Sequence, residues 1–208
     1  MFLAIELCLA TLADVIAKPR RDEWKNIAKN LDPKKALQEI TSGLDHLHCL
    51  NIVHRDIKPQ NILISRSART TRNGKGSYRM LISDFGICKK LDDGQTSFLP
   101  TPHGTSAGTR GWLAPELLKI LEKRLANEDM VSTAGYRKLT KRLDIFPLGC
   151  LYYYTVTKGQ HPYGHNFERD VNISKDNKNV SGLDELGEEG QKAKDLITKM
   201  LHPEPSQR

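Results

Sequence analysis

The sequence predicts a single α+β domain, mainly helical, with a few short strands. Helical spacing of apolar residues recurs at residues 32–51, 143–156 and 191–201. Apolar runs of strand length occur at residues 2–8, 61–64 and 78–82. At 208 residues the chain can bury one substantial core and is too short for two full domains.

Taken in order, Phe2, Leu3, Ala4, Ile5, Glu6, Leu7 and Cys8 form an apolar run suited to a buried strand. Residues 11–17 read as a short helix, and residues 18–30, polar and charged, as a loop. Asp32 is a favoured N-cap, and Pro33 takes the first helical position, where its missing N–H is harmless. Behind them Ala36, Leu37, Ile40, Leu44, Leu47 and His48 follow at three- and four-residue spacing. An amphipathic helix therefore runs to Asn51 and hands the chain to Ile52, Val53 and His54. Residues 61–64 and 78–82 read as strands of a long basic hairpin with Asn73-Gly74 as its turn signal. Residues 92–108, rich in Gly, Ser, Thr and Pro, are expected to form a mobile segment. Residues 143–156, apolar nearly all round and including Tyr152, Tyr153 and Tyr154, predict a buried central helix. Pro147 fits that helix in its first turn. Residues 165–190 are polar and rich in Asn and Gly, and residues 191–201 form a last amphipathic helix.

Composition narrows the function classes. Apolar residues make up 38% and charged residues 27%, a globular balance. No apolar run is long enough to span a bilayer, and the opening residues lack the basic run and small-residue cleavage site of a signal peptide. Cys8, Cys49, Cys88 and Cys150 are widely spaced, without the pairing that zinc or redox work requires. The seven histidines have no metal-ligand spacing. The net charge of +7 concentrates in residues 66–79 and 119–142. Each stretch suits an acidic partner or a solvated loop, and neither carries the interleaved aromatics of a single-strand platform.

The chemistry gathers in three signatures. They are His54-Arg55-Asp56-Ile57-Lys58-Pro59-Gln60-Asn61, then Asp84-Phe85-Gly86, then Ala114-Pro115-Glu116. In that order they resemble the catalytic loop, the metal-binding loop and the end of the activation segment of a protein kinase. The resemblance implies a protein-kinase-like fold that transfers the γ-phosphoryl group of ATP to a protein hydroxyl with Mg²⁺. Residues 1–9 would then be the last N-lobe strand and hinge, residues 10–208 the C-terminal lobe, and residues 84–116 roughly the activation segment. A Gly-rich phosphate loop, a strand Lys and a helix Glu do not precede His54. The N-lobe is thus expected to be largely absent, and ATP binding by these residues alone to be weak.

Phosphoryl transfer requires an aimed hydroxyl, held metals and neutralised charge. Under the resemblance Asp56 accepts the hydroxyl proton, Lys58 reaches the γ-phosphoryl oxygens, and Arg55 completes the catalytic set. Asn61 and Asp84 offer oxygens to Mg²⁺. Leu63 would floor the adenine ring, a position that core packing explains equally well. Backbone groups of Glu6 and Cys8 would meet the adenine edge. Lys58 and the pair Gly108-Thr109 resemble serine/threonine kinases and not tyrosine kinases. Arg55 would grip a phosphorylated segment whose hydroxyls are Thr96, Ser97, Thr101, Thr105 and Ser106, Ser97 foremost. Glu116 is expected to pair with Arg208, and Asp144 to hold the catalytic-loop backbone.

Further residues narrow the family. They are Ala4-Ile5-Glu6-Leu7-Cys8, Ile82-Ser83-Asp84-Phe85-Gly86-Ile87-Cys88-Lys89-Lys90-Leu91, Gly108-Thr109-Arg110-Gly111-Trp112, Gly149-Cys150-Leu151-Tyr152-Tyr153-Tyr154 and Lys158-Gly159-Gln160-His161-Pro162-Tyr163-Gly164. Together they resemble the inositol-requiring kinase/endoribonuclease family, sensors of the unfolded-protein response. That resemblance implies autophosphorylation in trans, homodimers or oligomers, and a place on the cytosolic side of the endoplasmic reticulum membrane. It also implies RNA contact through a ribonuclease domain not seen in these residues. For the chain alone, with no membrane segment, it implies the cytoplasm. Two other readings stay open: a kinase-derived binding or dimerisation module without catalysis, and a basic piece that contacts RNA.

Overall fold

The structure, a computed structural model, describes residues 6–17, 19–70, 76–99, 108–126 and 138–208. The opening run before Glu6, the Asn73-Gly74 turn, and Thr101, Thr105 and Ser106 lie outside the described residues. Helices dominate, as the apolar spacing predicts. They pack around one continuous core to which every part of the described chain contributes.

The scaffold of that core is a pair of helices. Helix α3 (Pro33–Cys49) starts as expected: the Asp32 carboxylate accepts the N–H groups of Lys34 at 3.0 Å and Lys35 at 3.3 Å, with Pro33 in the first turn. Ala36, Leu37, Ile40 and Leu44 form its buried stripe. Beyond Cys49 the chain turns at Asn51, whose φ of +61° ends the helix. Helix α5 (Ile145–Val156) runs behind α3, joined to it where Thr41 and Tyr152 share a hydrogen bond of 2.6 Å. It is buried nearly all round, and Pro147 falls in its first turn, where no N–H is required.

Shorter elements complete the frame. Helix α1 (Leu12–Ile16) is closed by a reciprocal cap between Thr11 and Asp14. Residues 18–30, expected as a loop, instead contain helix α2 (Asp22–Asn30). Ile27 is fully buried, and Trp24, Ala28 and Leu31 pack on the core beside it. This narrow stripe is hidden among charged positions, and Arg21 covers the Trp24 ring at 4.7 Å.

Strand β1 (Ala10–Thr11) pairs with β3 (Ile62–Thr70), which pairs with β4 (Gly76–Ile82), all antiparallel. The register sets Leu63 opposite both Thr11 and Leu81. Strand β2 (Ile52–Val53) pairs with β5 (Lys89–Lys90), bringing the segment after Asp84-Phe85-Gly86 alongside the entry to His54. The expectation of a mobile stretch over residues 92–108 fails at its centre. Ser97–Phe98 form β6, paired with β7 (Leu139–Thr140), because Phe98 is buried and draws the backbone into a ladder. Helix α4 (Pro115–Leu125) follows the third signature. Helix α6 (Arg169–Ser174) lies within the polar stretch, and α7 (Gly187–Met200) begins earlier than predicted.

Candidate active site

The loop between β2 and β3 carries most of the expected residues, and a single carboxylate holds it in place. Asp144 is fully buried at the head of α5. Its Oδ2 accepts the His54 N–H at 2.8 Å and its Oδ1 the Arg55 N–H at 2.7 Å. These bonds hold Arg55 at a φ of +70°, a left-handed conformation that a non-glycine residue adopts only under constraint. The expected role of Asp144 is met. His54, itself fully buried, accepts the Asp56 N–H on Nδ1 at 3.3 Å and donates from Nε2 to the Ser83 carbonyl at 3.0 Å. The loop and the residue before Asp84 are thereby tied together. The same tie is repeated where Ser83 N–H and Oγ donate to the Asn61 carbonyl at 2.9 and 3.1 Å.

Asp56 lies at the centre of this arrangement. Its Oδ2 accepts from Lys58 Nζ at 2.6 Å and from Asn61 Nδ2 at 2.9 Å, while its Oδ1 accepts from Thr109 Oγ1 at 2.7 Å. Burial pushes the Asp56 carboxyl up, but hydrogen bonds from Lys58 and Thr109, the Lys58 charge and the Asn61 amide outweigh it. The group is held below its ordinary value and is a carboxylate at neutral pH. Lys58 also reaches Thr109 Oγ1 at 2.5 Å, so Asp56, Lys58 and Thr109 form a closed triangle. In sequence Thr109 marks only the acceptor class. Its hydroxyl on the Asp56 carboxylate has no signature at a separation of 53 residues.

Gly108 makes that approach possible. It sits at a φ of +94°, and a side-chain Cβ there would lie 2.5 Å from the Arg55 carbonyl oxygen. On the other side, Asp170 of α6 accepts the Gly111 N–H at 2.7 Å and the Arg110 guanidinium at 3.0 Å. The segment 108–111 is therefore held from two directions. Sequence reasoning missed Asp170, which sits in a stretch that read only as polar.

Asn61 donates its amide to both the Asp56 carbonyl and carboxylate. This leaves its Oδ1 carbonyl without a protein donor among the described residues. Asp84 is exposed at a φ of +65°, with one oxygen 3.4 Å from the Gly86 N–H. The two offer hard oxygen donors, and no cluster of three metal-ligating side chains occurs among the described residues. Carboxylate and amide oxygens are the donors that a hard divalent cation takes.

The remaining expected residues are positioned as follows. The Arg55 Nε donates to the Ile87 carbonyl at 2.6 Å, and burial lowers its guanidinium from the ordinary value. Leu63 is half-buried in β3 opposite Thr11, beside the chain that leads out of residues 6–9. Glu6 and Cys8 lie outside any regular element, and the Leu9 N–H joins this segment to the Ile64 carbonyl at 2.8 Å. The Glu6 carboxylate is engaged by Ser65 and Arg79, which hold it below its usual range. Burial first, then the Asp144 charge, pushes the Cys88 thiol up to about 11. The four cysteines are all free. Glu116 and Arg208 meet as expected, fork to fork.

Comparison with known proteins gives the following matches. The protein kinase domain family matches residues 1–208. The serine/threonine-protein kinase/endoribonuclease ireA of Aspergillus fumigatus is 43% identical over 222 residues, an alignment covering 100% of this chain and 19% of that protein. The sensor for unfolded proteins in the ER ire1 of Schizosaccharomyces pombe is 41% identical, again over 100% of the chain and 19% of the relative. The serine/threonine-protein kinase/endoribonuclease IRE2 of Homo sapiens is 39% identical over 100% of the chain and 20% of its own length. The chain thus spans about a fifth of the length of the curated relatives it matches.

Proposed function

Because this chain belongs to the protein kinase family, its sequence homologous to the kinase part of serine/threonine-protein kinase/endoribonucleases, we propose that the Asp56 site transfers the γ-phosphoryl group of ATP to a serine or threonine hydroxyl. The observation that carries this reading is the Asp56 carboxylate, ionised and held by Lys58, Asn61 and Thr109. An acceptor hydroxyl entering beside Thr109 meets a fixed acceptor for its proton. Little base strength is required, since in a loose transition state the bond to the incoming oxygen has barely formed and its proton is still in place. Lys58, already at the carboxylate, is in position to follow the transferred oxygens as a point charge.

Asn61 Oδ1 and the Asp84 carboxylate are assigned to Mg²⁺, which supplies charge neutralisation on the phosphates when bound. Leu63 and the backbone of Glu6 and Cys8 are assigned to the adenine side. The relatives' names join a kinase to an endoribonuclease, and one names a sensor of unfolded proteins in the ER. On that kinship we assign this domain to such a sensor, phosphorylating a second copy of itself on the cytosolic face of the endoplasmic reticulum, with RNA handled by a separate ribonuclease domain. Among the described residues no helix is long and apolar enough to cross a membrane.

The test is a chimera in which these residues replace the corresponding segment of the Aspergillus fumigatus relative. Incubated with γ-labelled ATP and Mg²⁺, it should label serine or threonine, and Asp56→Asn should abolish the label. A folded chimera that binds ATP but transfers nothing would overturn the assignment in favour of a binding module.

A further inference from the structure

Asp170 bonds to the segment beside the catalytic carboxylate, yet it lies outside all three signatures. It stands in the first turn of α6, with 23% of its side chain open to solvent. Its Oδ1 accepts the Gly111 N–H at 2.7 Å, and its Oδ2 accepts from Arg110 at 3.0 Å. These two bonds differ in weight. The Arg110 side chain is 64% exposed, so water competes for that ion pair and screens it. The Gly111 N–H instead meets a charged acceptor that is mostly shielded from water, which makes its bond the stronger kind.

The segment depends on that bond because it has no helix or strand of its own. Gly108 and Gly111 both stand at left-handed φ values, +94° and +80°, and Thr109 and Arg110 lie in the turn between them. Within the turn the Trp112 N–H donates to the Thr109 carbonyl at 3.0 Å. Gly111 is pressed against α6, since a Cβ there would lie 2.9 Å from the Arg169 side chain. Trp112 is buried, with the Arg169 guanidinium 5.7 Å from its ring centroid.

Helix α6 is anchored away from this contact as well. Asn172 donates to the Tyr163 carbonyl at 3.0 Å, Arg169 to the Gly164 carbonyl at 3.0 Å, and Ser174 to Glu122 of α4 at 2.9 Å. Asp170 is therefore a fixed post, and the turn that brings the Thr109 hydroxyl to Asp56 is tied to it.

We propose that Asp170 is a positioning residue for the acceptor side of phosphoryl transfer, holding the Gly111 N–H so that Thr109 stays on the Asp56 carboxylate. The catalytic consequence rests on the kinase reading above, and the structural one on hydrogen-bond geometry alone. The two are therefore separable.

Three variants test it. Asp170→Ala and Asp170→Leu remove the acceptor, the second with little change of volume. Asp170→Asn keeps an oxygen for the Gly111 N–H and gives up the charge that faces Arg110. Amide hydrogen exchange, which reports local opening, is followed in the 208-residue chain. At Gly111 it should rise about tenfold in the Ala and Leu variants and stay within about threefold in the Asn variant. Exchange in α5 should stay within about twofold in all three.

Kinetics use the chimera, with a synthetic peptide of residues 92–108 as acceptor. KM for the peptide should rise about tenfold in the Ala and Leu variants, with KM for ATP within about twofold. A mere loss of folded enzyme would lower kcat and move neither KM. Unchanged exchange at Gly111 in the Ala and Leu variants overturns the proposal, as does a rise shared with α5 or an equal rise in the Asn variant. So does raised exchange with an unmoved peptide KM. Should the unmodified chimera transfer no phosphoryl group while the exchange pattern holds, the kinase reading falls and the segment-holding role of Asp170 stands.

Discussion

Arg208 meets Glu116 with two parallel hydrogen bonds of 2.8 Å, joining positions 92 residues apart with almost no solvent contact on either side chain. The same guanidinium donates to the His202 and Pro203 carbonyls and lies 5.2 Å from the Phe146 ring centroid. The pair fastens the start of α4, directly after the segment that carries Thr109, to the core. Replacing Glu116 by Ala leaves a buried cation without its counter-charge, so we expect a loss of about 3–5 kcal/mol in urea unfolding. A loss below about 1 kcal/mol, the range of an exposed pair, would show that water reaches the site.

Asp56 and Asp84 should fail differently when each is changed to Asn. Asp56 is surrounded by protein donors and is proposed to aim the acceptor, so Asp56→Asn should cut kcat at least about a hundredfold, which is about 2.7 kcal/mol of transition-state stabilisation. Its affinity for ATP with Mg²⁺, read by calorimetry, should stay within about threefold. Asp84→Asn should weaken that affinity about tenfold or more, because the carboxylate assigned to the cation is lost. Unchanged affinity in Asp84→Asn would remove it from the metal site.

His161 provides a pH test of stability. Burial, with the Arg169 charge behind it, holds its pKa well below the ordinary value of 6.5, and its ring stacks edge-on to Trp112 at 4.8 Å. The unfolded chain therefore takes up a proton below pH 6.5 that the folded chain refuses. The stabilisation is complete above that pH and is lost as pH falls, by at most about 1.4 kcal/mol per unit for one proton. Urea unfolding at pH 5.5 and 7.5 should show His161→Gln less acid-sensitive than the unmodified chain. Equal sensitivity would mean that His161 titrates normally.

The exposed pair Lys89 and Lys90 forms β5 against Ile52 and Val53, and Arg55 follows that strand two residues after Val53. A phosphate on the segment 96–106 that reached these side chains would find cations for one to three charge-assisted bonds. Replacing Thr96, Ser97, Thr101, Thr105 and Ser106 together by Ala should lower phosphotransfer and self-association of the chimera by about tenfold, the scale of one or two such bonds. Mass spectrometry of the active protein should find phosphate among these five positions. Full activity in the five-fold variant would leave the segment a simple connector.

The sequence by itself marked the candidate reactive set and determined the local starts and stops. Asp56, Lys58 and Asn61 fall within six consecutive positions, and the chemistry of phosphoryl transfer restricts what can stand at each. Asp32, Pro33 and Pro147 were legible for a similar reason, because a cap or a missing N–H acts within one turn of its own residue. Tertiary structure decided most of what holds those groups. Asp144 is legible only through the family resemblance, because its carboxylate bonds to main-chain N–H groups 90 and 89 residues away, and any residue type would supply the same N–H. Thr109 reaches Asp56 only because Gly108 lets two backbones touch, and His48 reaches Asp144 only because α3 and α5 pack side by side. Helix α2 and strand β6 escaped notice for a related reason. Each depends on a few apolar side chains, Ile27 in one and Phe98 in the other, whose burial is set by partners elsewhere in the chain. Local chemistry leaves a mark in sequence order, whereas a contact between distant segments leaves one only once the chain has folded.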